Sequence, residues 1–223
     1  MSKTILMRKE CRLSFCGPGW TVGPASLPVA AIVQPEFPMT DPRHFLFLSS
    51  SCRSGGNTET LAQTAAAKLP ASVRQTWLRH VDLPLPPFVD IRHSGDGTYP
   101  MPEGNGRTLL DATLAATDLV FVAPVYWYGL PADAKLYLDH WSGWMRLPGV
   151  DFRPRMAGKT MWAVTMLSDR DTAQADPLLG CLQWTAKYLG MRWGGSLLGY
   201  GNKPGDVLVD EAALTRANAL FAA

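Results

Sequence analysis

From Phe45 onward the apolar residues follow two alternating rhythms. Short unbroken runs at 45–49, Leu119–Ala123 and Thr160–Leu167 read as buried strands, and weaker ones run through Val73–Leu78 and Trp193–Leu198. Between them apolar residues return every three or four positions, as on one face of a helix. Leu61, Ala62, Ala65, Ala66 and Leu69 mark a first helix over 58–69, and Leu109, Leu110, Thr113 and Leu114 a second. Leu130, Ala134, Leu138 and Trp141 share a third face, Leu178, Leu182, Ala186 and Leu189 a fourth, and Leu214, Ala217 and Phe221 a fifth.

Punctuation agrees with the rhythm. Pro70 ends the first helix, Pro131 stands at the first turn of the third with Asp133 nearby, and Asp176-Pro177 reads as N-cap and N1 of the fourth, with Gly190 past its end. Asp210 reads as the cap of the last helix. Residues 83–106 carry Pro84, Pro86, Pro87, Pro100 and Pro102 among four glycines, the composition of a lid, an interface or a disordered insertion. Five strands alternating with five helices predict an α/β domain, doubly wound, with a five-stranded parallel sheet. In such sheets ligands lie beyond the C-terminal strand ends, where the winding reverses. In the flavodoxin-like strand order 2-1-3-4-5, the loops after strands one and three meet at that point.

Residues 1–40 break every periodicity with Gly17-Pro18-Gly19, Pro24, Pro28, Pro35 and Pro38. They are expected to form an irregular or disordered N-terminal extension before a domain over 41–223. Residues 1–38 also carry the whole net charge of +2, so the domain is neutral and has no basic excess to suggest nucleic acid. Cys11, Cys16, Cys52 and Cys181 form no C-x-x-C pair and read as reduced thiols of a cytoplasmic protein. No apolar run is long enough to cross a membrane, and His44, His80, His93 and His140 show no metal-ligand spacing.

Two loops carry chemistry. The first, Ser49-Ser50-Ser51-Cys52-Arg53-Ser54-Gly55-Gly56-Asn57-Thr58, joins a strand to a helix N-terminus. Unpaired helix amides, glycines and the dipole favour an anion there, and hydroxyls with one guanidinium add donors. The loop lacks the Gly-Lys-Ser/Thr ending of a nucleoside-triphosphate loop and the Gly-x-Gly-x-x-Gly of a dinucleotide fold, so a terminal phosphomonoester fits best. The alternative is an ordinary turn capping a helix. The second loop, Pro124-Val125-Tyr126-Trp127-Tyr128-Gly129, crowds three aromatic rings at a strand mouth, suited to a flat heteroaromatic ligand or to capping the core.

Together the two loops resemble the NAD(P)H-dependent FMN reductases, a branch of the flavodoxin-like oxidoreductases. Ser50–Thr58 is similar to that family's Gly-Ser-x-Arg-x-x-Gly-Asn-Thr loop, and Asp118–Asp139, with Lys135 and Leu138-Asp139, to its second motif. The resemblance spans 44–222. It departs at Ser50, where glycine is usual, at His140, where arginine is common, and at Thr165–Arg170, which replaces a Gly-rich third loop.

The resemblance implies bound FMN with NAD(P)H as co-substrate. Ser51, Arg53, Asn57 and Thr58 would hold the phosphate, and Pro124, Val125, Tyr126, Trp127 and Tyr128 would line the isoalloxazine. No side-chain acid or base is required. A hydride would pass to a small acceptor: a quinone, an azo or nitro compound, or free flavin. It further implies a homodimer or homotetramer, for which Trp141, Trp144, Met145 and the 83–106 loop are candidate material. Arg155 and Arg170 are candidates to recognise a pyridine-nucleotide phosphate, against the ordinary reading of solvated surface arginines. A flavodoxin-type electron carrier without substrate turnover is the alternative.

Overall fold

The computed structural model describes residues 43–221; the N-terminal extension expected over 1–40 lies outside the described residues. Five strands, β1 (His44–Ser49), β2 (Arg74–Arg79), β3 (Asp118–Val122), β4 (Thr160–Leu167) and β5 (Arg192–Tyr200), form one sheet in the order β2-β1-β3-β4-β5. Every neighbouring pair is parallel. Strands β1, β3 and β4 are buried on both faces, which is why they read as continuous apolar runs rather than alternating ones. This is the doubly wound architecture the sequence predicts.

The crossovers carry α1 (Asn57–Ala66), α2 (Gly104–Ala115), α3 (Ala132–Trp144), α4 (Phe152–Met156) and α5 (Asp176–Tyr188), and α6 (Glu211–Ala217) follows the last strand. One sheet face packs Phe45, Phe47, Val120, Val122, Trp162 and Val164 against α1 and α6. The other packs Leu46, Leu48, Leu119, Phe121, Met161 and Ala163 against α2, α3 and α5. The sixth helix, α4, is an addition to the five expected. Its Phe152 and Met156 are fully buried and fasten the turn before β4.

At β5 the register slips beside Met161 and Trp162. A Cβ on Gly194 would come within 2.4 Å of the Trp162 ring, so glycine is what lets that indole lie flat against the strand.

Of two predicted helix caps, one is found and one is displaced. Asp210 caps α6 as predicted, accepting from the Ala213 amide at 3.1 Å. Asp176 does not cap α5, because a 3-10 turn over Thr172–Ala175 runs straight into the helix and leaves no open start there. Asp171 caps that turn instead, accepting from Ala173 at 3.1 Å.

The long proline-rich connection is ordered by specific bonds. The Tyr99 hydroxyl accepts from the Ile91 amide at 2.9 Å, Asn105 donates to the Pro84 carbonyl at 3.0 Å, and His140 Nε2 donates to that of Pro86 at 2.9 Å. Trp141 and Trp144, candidates for an interface, are each 3% exposed. They face their own core, edge-on to Phe152, and only their rims reach surface grooves.

The N-terminal edge of the sheet is closed by a polar network. Arg43 donates to both carboxylate oxygens of buried Asp118, at 2.7 and 3.2 Å, and Thr117 Oγ1 donates at 2.7 Å. Trp162 Nε1 donates to the same carboxylate at 3.0 Å. The Lys159 ammonium donates to the carbonyls of Leu114 and Ala116 at the end of α2. No helix among the described residues is long and apolar enough to cross a membrane.

Candidate functional site

The opposite, C-terminal edge is open. Beyond Ser49 the chain turns outward, and the Ser50 amide donates back to the Val122 carbonyl at 3.0 Å, which ties the start of the first loop to β3. Gly56 occupies the N-cap of α1 and offers no side-chain cap. The first-turn amides of α1 therefore keep their donors for another partner. Glu59, in that turn, accepts from the Gly55 amide at 3.0 Å and holds the loop from behind.

A cavity of about 250 Å³ opens here, lined by Ser51, Arg53, Gly56, Asn57 and Thr58 from the first loop and by Pro124, Val125 and Tyr126 from the second. Met166, Ser168, Gly201 and Asn202 complete it. Seven of the nine predicted site residues thus converge on one cleft. The other two, Trp127 and Tyr128, line an adjoining cavity of about 190 Å³ with Leu167, Ser168 and Gln174. Val125 and Ser168 border both, so the two cavities adjoin. Among the described residues Arg53 is the one charged group on the wall of the larger cavity, and no carboxylate lines it. One guanidinium, two buried hydroxyls (Ser51 and Thr58) and an uncapped helix start are a donor set suited to a phosphate.

The predicted residues differ in how they face it. Ser51 Oγ accepts from the Arg53 amide at 3.2 Å, which shapes the loop. Asn57 is turned away from the cavity centre: its Nδ2 donates to the Lys203 carbonyl and its Oδ1 accepts from the Gly205 amide, both at 2.8 Å. Its side chain thus holds a third loop, after β5, while its backbone amide stays at the helix start. A Cβ on Gly201 would approach Asn57 Nδ2 to 3.1 Å and Asp206 Cβ to 2.6 Å, so the close approach of this loop requires glycine. Ser50 is buried and bonded to His80 Nδ1 at 2.9 Å, behind the loop rather than in the cavity. Burial pushes the His80 imidazole down to about 4, so it is neutral near pH 7.

The second loop is a tight turn. Tyr126 and Gly129 exchange both backbone hydrogen bonds, at 3.2 and 3.1 Å. Trp127 and Tyr128 between them have φ of 50° and 65°. Two consecutive left-handed residues are the two-residue hairpin conformation that normally selects Asn-Gly. Holding two aromatics there costs on the order of 1–2 kcal/mol each. The Val125 amide donates to Met166, and among the described residues the Trp127 and Tyr128 amides find no partner. Trp127 is 95% exposed.

Sequence reasoning missed Gly201 and Asn202. Their signal was present: Gly201-Asn202-Lys203-Pro204-Gly205 is a turn-rich run directly after the last strand, at the same sheet edge. Arg170 lies over the Tyr200 ring at 5.1 Å. Arg155 sits in α4, close enough to Lys159 to help lower its pKa, at the far edge of the sheet and away from the cleft.

Fold and cleft define a doubly wound α/β domain with a donor-lined cleft at its strand C-termini. The chain belongs to the flavodoxin-like fold family, whose model matches residues 43–220. It is 32% identical over 178 residues to a Bacillus subtilis (strain 168) protein provisionally named NAD(P)H-dependent FMN-containing oxidoreductase YwqN, covering 78% of this chain and 94% of that one. A solved Trp repressor binding protein from Bacillus subtilis is 26% identical with a TM-score of 0.61, covering 79% of this chain and 97% of that one. An azoreductase from Bacillus anthracis str. Sterne shares the fold at 16% identity and a TM-score of 0.58, covering 80% and 98%.

Proposed function

We propose that this chain is an NAD(P)H-dependent FMN oxidoreductase that passes a hydride to a small acceptor: a quinone, an azo or nitro compound, or free flavin. The observation that carries the reading is the convergence of Arg53 and Tyr126, 73 positions apart in sequence, on one cavity. The name of the relative from Bacillus subtilis supports it.

In this reading Ser51, Arg53, Thr58 and the first-turn amides of α1 hold the phosphate. Each charge-assisted bond contributes about 1.5–3 kcal/mol, so Arg53 supplies a sizeable part of the ~8 kcal/mol of micromolar affinity. Pro124–Tyr128 form the wall for the ring, with Met166 and Ser168 beside them. FMN held by these residues would supply the hydride chemistry between NAD(P)H and the acceptor. The chain's part is electrostatic: the free Trp127 and Tyr128 amides are donors for negative charge at the ring edge, in the manner of an oxyanion hole. Among the described residues no carboxylate or histidine lines the larger cavity. Homodimers are the assembly the family resemblance implies. A groove of about 320 Å³ between α3 and α5, carrying Met145, Trp184 and Tyr188, is the face we assign to it.

Purified chain reconstituted with FMN and mixed anaerobically with NADH or NADPH tests the reading. The expected outcome is loss of the oxidised flavin band within seconds and its return on adding a quinone. A chain that retains no FMN overturns the flavin assignment. Bleaching only over hours moves the function to a one-electron carrier. Sedimentation of the same preparation as a monomer removes the dimer.

A further inference from the structure

We propose that His80 is a positioning residue for the phosphate loop, fixing Ser50 from behind so that the following residues present their donors to a phosphate. This rests on the FMN reading and says which half of that ligand the histidine serves.

Ser49 pairs with Arg79 in the β1–β2 register, so Ser50 and His80 are the next residues out, side by side beyond the paired strand ends. His80 is 2% exposed. Its ring lies 5.0 Å from that of Tyr137 on α3. The Tyr137 hydroxyl is 2.5 Å from Thr113 Oγ1, which itself donates to the Leu109 carbonyl, so Tyr137 donates and the cluster is anchored to α2. His80 has one bond to another side chain, Nδ1 to Ser50 Oγ at 2.9 Å, and its buried Nε2 has no partner. An orphaned N–H in an interior costs more than an orphaned lone pair. The proton therefore belongs on Nδ1, which donates to Ser50 Oγ.

A leucine would fill the same space without the orphaned nitrogen. What the imidazole adds is the bond to Ser50, whose amide is already tied to Val122. With main chain and side chain both held, Ser50 sets where Ser51 starts, and Ser51 Oγ in turn accepts from the Arg53 amide. The line of contact runs from the core through His80 and Ser50 to the residues that line the cavity.

The test is titration of FMN and of riboflavin, which lacks the phosphate, into wild type, Ser50→Ala, His80→Leu, His80→Asn and the Ser50→Ala/His80→Leu double variant. Ser50→Ala and His80→Leu are each expected to weaken FMN binding roughly tenfold, the equivalent of one hydrogen bond, and to leave riboflavin within about twofold. His80→Asn, whose amide reaches the place of Nδ1, is expected to restore FMN affinity to within about threefold of wild type. The double variant should be no weaker than either single one, as two ends of one bond require. Equal losses for both flavins, or FMN affinity unchanged in Ser50→Ala, overturn the proposal, and Ser50→Ala keeps it testable should His80→Leu not fold. A wild-type chain that binds neither flavin overturns the FMN reading and this proposal with it. Wild type that binds FMN as tightly as Ser50→Ala does removes only the proposal.

Discussion

The two ends of the sheet are built from the same strands and treat polar groups in opposite ways. At the N-terminal edge, Asp118 is 1% exposed and accepts from Arg43, Thr117 and Trp162. At the C-terminal edge, α1 begins without a side-chain cap, two amides of the 126–129 turn are unpartnered, and two aromatics sit in left-handed backbone. The first pattern is what a buried charge needs in order to be tolerated at all. The second leaves donors and strain unspent, which is the condition of a surface awaiting a ligand. Fold stability and ligand binding are therefore separable along the strand axis, and substitutions at the two ends should not trade effects.

The largest effect is expected at the closed end. Asp118→Ala leaves the Arg43 guanidinium and the Trp162 indole N–H facing a gap between β3 and β4. Removing one partner of a buried pair costs about 3–5 kcal/mol. Arg43 is a third exposed, which places the expectation at the low end of that range. Urea denaturation reads the loss, and FMN affinity per folded molecule should match wild type. A drop in affinity as large as the drop in stability would show that the two ends are not independent.

Next comes the open end. Arg53→Ala should weaken FMN binding by 1.5–3 kcal/mol, about 10- to 150-fold, because it deletes the one charged donor on the cavity wall. The side chain is exposed and makes no salt bridge among the described residues, so the apo stability should stay within about 0.5 kcal/mol. Equilibrium dialysis against FMN, beside a urea curve of the apo protein, measures both. Unchanged retention would take Arg53 out of the phosphate site.

Much of this arrangement is legible in the sequence because burial on both faces writes itself as apolar runs. Phe45–Leu48 and Leu119–Val122 could hardly be anything other than central strands, and the rule that ligands sit at strand C-termini then pairs their loops. What the sequence hides is direction. That the Asn57 side chain bonds a loop 146 residues away depends on where β5 ends. Trp141 and Trp144 are candidates for an interface in the sequence, yet the turn through α4 packs Phe152 against them. Pro154 inside five-residue α4 conceals that helix from any periodicity. His80 follows an edge strand as a lone histidine, and only the register opposite Ser49 brings it behind the phosphate loop.

The smallest expected effect is also the most discriminating in sign. Nothing in the residue types Trp127-Tyr128 announces left-handed backbone, since both carry a Cβ that this conformation penalises by roughly 1–2 kcal/mol. Trp127 is 95% exposed, so truncating it forfeits almost no burial. Trp127→Gly removes the penalty and adds back part of it as unfolded-chain entropy, about 0.5–1 kcal/mol. The apo protein should therefore become slightly more stable, by up to about 1 kcal/mol, although a large aromatic has been deleted. The same change should raise KM for a flat aromatic acceptor several-fold, because the exposed indole is the surface such a ring would meet at the mouth of the cleft. A thermal melt and a steady-state titration on one preparation give both numbers. If stability falls instead, the turn is not strained, and the contrast between a relaxed edge and a loaded one fails where it was drawn most sharply.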